Sequence, residues 1–92
     1  MKNTRKAITL TGRVQGVGFR YFTREKARNI GITGWVKNEP DGSVRVEAQG
    51  EPAAIERFVD TIRKGPFPGT VEHVDSEALS PVNNERLFSI TF

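Results

Sequence analysis

Gly12-Arg13-Val14-Gln15-Gly16-Val17-Gly18-Phe19-Arg20 is the stretch on which the reading of the whole chain turns. It stands between two patterns of different period. Before it, Lys6 to Val14 alternates, with Ile8, Leu10 and Val14 on one side and Thr9 and Thr11 on the other, as a half-buried strand does. After it, from Tyr21, the period lengthens: Phe19, Phe22, Ala27 and Ile30 fall near one helical stripe, and Arg24, Glu25, Lys26 and Arg28 occupy the rest. Gly31 is the expected helix stop. A strand that enters a helix this abruptly needs a sharp turn, and glycine alone takes positive φ without a steric penalty. Such a turn points successive N–H groups into one concavity, which binds anions. The helix start adds unpaired N–H groups and the positive end of its dipole. Arg20 adds a planar fork of donors matched to phosphate oxygens. These features predict a phosphate cradle made by Gln15, Gly16, Val17, Gly18, Phe19 and Arg20. The spacing alone is also met by a ligand-free connection carrying a surface arginine. Neither nucleotide fingerprint fits, because Tyr21 stands where the third dinucleotide-binding glycine belongs and no Gly-Lys-Ser/Thr ending follows.

Working outward, Ile32 to Asn38 is a second strand, and Pro40-Asp41-Gly42 supplies turn chemistry. Ser43 to Ala48 alternates strictly, with Val44, Val46 and Ala48 inward and Arg45 and Glu47 outward, so the two strands form a hairpin. Gly50-Glu51-Pro52 opens a second helix in which Ile55, Phe58, Val59 and Ile62 recur at i, i+3, i+4 and i+7. A Gly/Pro-rich loop from Lys64 to Gly69 ends it. Thr70 to Leu79 reads as a fourth strand whose imperfect alternation suggests a bulge. Leu87 to Phe92 is a short fifth strand. The order β-α-β-β-α-β predicts a ferredoxin-like α+β sandwich: an antiparallel sheet, two helices on one face and a short extra C-terminal strand. In that topology the first and second strands run the same way. Asn38, ending the second, therefore falls beside the loop that ends in Arg20.

The totals set bounds. A chain of 92 residues is expected to be one domain over 1–92, burying about 60% of its unfolded surface. There is no cysteine, hence no disulfide and no thiolate metal site. No apolar run approaches the ~20 residues that cross a bilayer. The basic start, Met1 to Lys6, lacks the apolar run of a secretory signal, so cytoplasmic residence is expected. A net charge of +3, from 14 Lys and Arg against 11 Asp and Glu, suits an anionic small substrate and equally suits simple solubility. His73, the sole histidine, has no ligand partner at metal spacing, so no metal and no cofactor are expected. Trp35 and Tyr21 are expected to be packing residues and not ligand-stacking ones.

Gly12 to Arg20, then Thr23, Ala27, Gly34-Trp35-Val36-Lys37-Asn38 and Asp41-Gly42-Ser43-Val44, closely resemble the acylphosphatase family, and the resemblance runs to Phe88-Ser89-Ile90. It implies hydrolysis of carboxyl–phosphate anhydrides, with Arg20 and Asn38 as the catalytic pair. On that expectation the loop and Arg20 hold the phosphoryl group and Asn38 aims the attacking water. A carboxamide accepts no proton at neutral pH, so Asn38 would orient and not act as a base. Thr23 would lend support by hydrogen bonding, or bond back to the preceding turn as helical threonines do. The expected partner is a small acyl phosphate, met by a monomer, with no nucleic acid and no membrane involved.

Two other readings compete. One is a non-catalytic RNA-binding module, since such sheets also carry stacked bases on central-strand aromatics. Lys6 to Thr11 and Ser43 to Ala48 hold none. The other is an accessory domain handling acyl or carbamoyl phosphate, as in hydrogenase-maturation carbamoyltransferases.

Overall fold

The structure, a computed structural model, describes residues 3–92. Met1 and Lys2, the start of the basic segment, lie outside the described residues. The elements are β1 (Thr4–Arg13), α1 (Phe19–Ile30), β2 (Thr33–Asn38), β3 (Val44–Gly50), α2 (Pro52–Lys64), β4 (Thr70–Leu79) and β5 (Phe88–Thr91). The strands form one sheet in the order β4-β1-β3-β2-β5.

Alternation decides which face is covered. Ile8 and Leu10 of β1, Val36 of β2 and Val44, Val46 and Ala48 of β3 point to the same side and are fully buried. The apolar stripes of both helices close over them: Phe19 and Ala27 of α1, and Ile55, Phe58 and Ile62 of α2. Phe58 meets Phe88 of β5 edge-on at 5.8 Å between ring centroids. Burying such side chains contributes about 1.5–3 kcal/mol each, which is what holds the helix layer to the sheet. β4 bulges as its pattern suggests: Thr11 faces His73 but Gly12 faces Val71, so Glu72 is the extra residue.

The sheet is mixed, not antiparallel throughout. β1–β3, β1–β4 and β2–β3 pair antiparallel, whereas β2 and β5 pair parallel. The reason lies in the linker from Ser80 to Leu87. β4 ends at the edge where β1 begins, and the linker crosses the sheet along that edge to reach the far side of β2. β5 must then run as β2 does. Arg5, 3% exposed, anchors the crossing: Nε donates to Glu47 Oε1 at 3.0 Å, and Nη1 to Glu85 Oε1 at 2.9 Å and to Gln49 Oε1 at 3.1 Å. Gln49 in turn brackets Val82 by accepting its N–H and donating to its carbonyl. Burial opposes the Arg5 charge, but the hydrogen bonds and charges of Glu85 and Glu47 outweigh it and hold the guanidinium pKa above its usual value.

Candidate active site

At the opposite edge, the chain leaves β1 at Arg13 and turns through Gly16 (φ 74°) and Gly18 (φ 76°), both left-handed. Any other residue would be strained there, although a Cβ would meet nothing within 4 Å at either position. The two glycines are therefore required by backbone conformation and not by crowding. Gly18 is also the cap of α1, which starts at Phe19, two residues before the expected start at Tyr21. No side chain caps this helix start and its first turn holds no acidic residue. Among the described residues, no loop or cap hydrogen bond takes up the N–H groups of residues 15–21. Four orphan donors at a helix start are normally satisfied by caps, water or ligand. Five of these residues, Gly16, Gly18, Phe19, Arg20 and Tyr21, line a cleft.

That cleft has a volume of about 100 Å³ and is lined by Val14, Gly16, Gly18, Phe19, Arg20, Tyr21 and Asn38. A water needs on the order of 10–15 Å³ of such space, so a phosphoryl group with a water beside it fits. Larger hollows lie on the helix-free face, of about 220 Å³ over Ala7, Thr9, Arg45 and Asp75 and about 480 Å³ between Thr9, Pro40 and Arg45. They are lined by strand and hairpin-turn residues and include no uncapped helix start, so size alone does not mark the reactive place.

Arg20 and Asn38, separated by 18 residues in sequence, thus share one small cleft, as the parallel course of β1 and β2 requires. The Asn38 Oδ1 atom is buried with no hydrogen-bond partner. Arg20 is half-buried, and the ion pairs among the described residues involve Arg5, Arg45 and Lys64 but not Arg20. Its fork is unengaged by any carboxylate. The guanidinium instead stacks on Phe92, 4.7 Å from the ring centroid. Tyr21 does not pack in the core: it is 60% exposed, lines the cleft and carries Arg24 over its ring at 5.3 Å.

Gln15 and Val17 are not among the lining residues. Val17 packs against the core margin. The Gln15 carboxamide reaches across to the β2–β3 hairpin, where Nε2 donates to Glu39 O at 2.7 Å and to Ser43 O at 2.8 Å. This strut ties the glycine turn to the segment following Asn38, a role no periodicity in the sequence announces. Asp41 holds the hairpin from inside, its Oδ1 accepting from the Ser43 hydroxyl at 2.6 Å and the Ser43 N–H at 2.9 Å, bonds that lower the Asp41 pKa. Thr23 is fully buried, and its hydroxyl bonds to nothing, not even the preceding turn.

The acylphosphatase family model matches residues 6–90. An acylphosphatase of Salinibacter ruber is 54% identical over 71 residues, 77% of this chain and 75% of that protein. One of Lactobacillus gasseri is 46% identical over 95% of this chain and 99% of its own length. The crystal structure of acylphosphatase from Bacillus subtilis superposes with a TM-score of 0.93 at 35% identity, covering 97% of this chain and 99% of that one. With sequence, fold and the meeting of loop and strand end all in agreement, the chain belongs to the acylphosphatase family, hydrolases that split acyl phosphates into a carboxylate and inorganic phosphate.

Proposed function

We propose that the N–H groups of the 15–20 loop and the Arg20 fork grip the phosphoryl group of an acyl phosphate while Asn38 orients the attacking water. The observation that carries this is that Asn38, whose Oδ1 is buried without a partner, lines the same cleft as the uncapped start of α1. Buried polar atoms without a protein partner are uncommon, and an ordered water is the usual alternative partner. The water oxygen forms the new P–O bond as the bridging P–O bond breaks, and the electron pair leaves on the carboxylate. One water proton stays on the phosphate and the other passes to solvent. A carboxylate leaves readily without an acid, and the cleft offers no carboxylate or histidine to act as one. Catalysis is then positioning plus charge stabilisation on the phosphoryl oxygens. Thr23 is fully buried and is not among the residues lining the cleft; we give its unpartnered hydroxyl a supporting role to the site from α1.

The acyl half of the substrate extends past Tyr21 toward solvent, since the cleft accommodates little beyond the phosphoryl end. We take the enzyme to act as a monomer, a state that light scattering checks. No helix among the described residues is long and apolar enough to cross a membrane. Anionic acyl phosphates stay in the compartment that makes them, and we assign the enzyme to the cytoplasm. Hydrolysis of benzoyl phosphate in heavy-oxygen water tests the chemistry. Label recovered in the phosphate supports attack at phosphorus, and label in the benzoate refutes it.

A further inference from the structure

Phe92 follows β5 by one residue, and it reaches the reactive edge only because β5 runs parallel to β2. Its ring is 88% exposed, so it does not hold the core together. The Arg20 guanidinium lies over this ring, 4.7 Å from the ring centroid. A stacked guanidinium gives up a face and keeps its in-plane N–H donors free, whereas a carboxylate partner would occupy those donors and cancel the charge. We propose that Phe92 is a positioning residue: its ring fixes the plane of the Arg20 fork so that the edge donors stay turned toward the phosphoryl site. This rests on Arg20 gripping the phosphoryl group, as argued above. It explains how a long side chain with no ion-pair partner is kept in register, since rotamer freedom lost on binding would otherwise weaken the grip.

The test compares Phe92→Leu, apolar but without a π face, with Phe92→Trp, the strongest cation–π partner. Phe92→Leu should weaken competitive inhibition by inorganic phosphate, and lower kcat/KM on benzoyl phosphate, by about twofold to fivefold, the scale of exposed cation–π contacts. Phe92→Trp should restore both to at least the parent level, and Phe92→Leu should lose no more than the few degrees of melting temperature that the stacking itself contributes. In NMR spectra the Arg20 Nε–H resonance, shifted by the ring in the parent, should return to an ordinary position in Phe92→Leu. Unchanged phosphate inhibition in Phe92→Leu, or a Phe92→Trp as impaired as the leucine variant, overturns this proposal alone. An Arg20→Ala enzyme that phosphate inhibits as well as the parent overturns both this and the assignment of Arg20.

Discussion

Two arginines of this chain should fail in opposite ways. Arg20 has no carboxylate partner, so Arg20→Ala strands no buried charge; it forfeits the stacking on Phe92, about 0.5–1 kcal/mol for an exposed cation–π contact. For a domain of this size that is a fall in Tm of roughly 2–8 °C. The same change removes a charge-stabilising donor pair from the phosphoryl site, and loss of one such donor costs about 10²–10³ in kcat, with clamping arginines at or above that range. Arg5 is the reverse case. Its removal leaves Glu47 and Glu85 facing each other without their shared cation. Breaking a fully buried pair costs about 3–5 kcal/mol; these carboxylates keep about a fifth of their surface in water, so about 2–4 kcal/mol, or roughly 10–30 °C in Tm, is expected. The eight steps along β1 from Arg5 to Arg13 put the two edges about 26 Å apart at the usual strand rise, so folded Arg5→Ala should turn over normally. Thermal melts followed by circular dichroism and initial rates on benzoyl phosphate separate the two axes. An Arg20→Ala that melts as early as Arg5→Ala, or keeps more than about a tenth of the parent kcat, refutes the division of labour.

Asn38→Ala should lower kcat by about 10²-fold through misplaced water while phosphate inhibition changes little, a split read from steady-state kinetics. Thr23→Val, nearly isosteric, removes a buried unpaired hydroxyl; stability should rise by about 1 kcal/mol in urea melts while kcat falls several-fold. Gly34 sits at φ 142°, and a Cβ there would overlap the Glu47 carbonyl oxygen on the neighbouring strand, so Gly34→Ala should cost about 4 kcal/mol and leave little soluble protein. The Asp41 pKa is depressed in the folded state, so its contribution to stability is complete above the usual carboxylate value and lost as pH falls through the lowered one. The gap in Tm between the parent and Asp41→Asn should accordingly be constant above about pH 5 and close in stronger acid.

Most of the element order was legible because each element has a clean period: the strict alternation of Ser43 to Ala48 and the i, i+3, i+4, i+7 stripe of α2 admit few readings. The convergence of Arg20 with Asn38 followed from direction alone, since β1 and β2 run parallel in this topology. What periodicity could not carry was anything decided by distant partners. The direction of β5 depends on where the preceding linker crosses, and that is set by the buried Arg5 cluster, which in sequence is four scattered polar residues. Gln15 looks like any loop residue until Glu39 and Ser43 are brought opposite it. Tyr21, expected to pack as aromatics do, is instead turned out over the cleft by its angular position at the start of α1.

The upward course of β5 carries a practical lesson for anyone handling this enzyme. A purification tag or surface tether joined ahead of Thr4 emerges at the edge remote from the chemistry, beside the Arg5 cluster. The same tag joined after Phe92 would hang over the guanidinium, where a run of histidines or acidic linker residues could compete for the anion or for the fork itself.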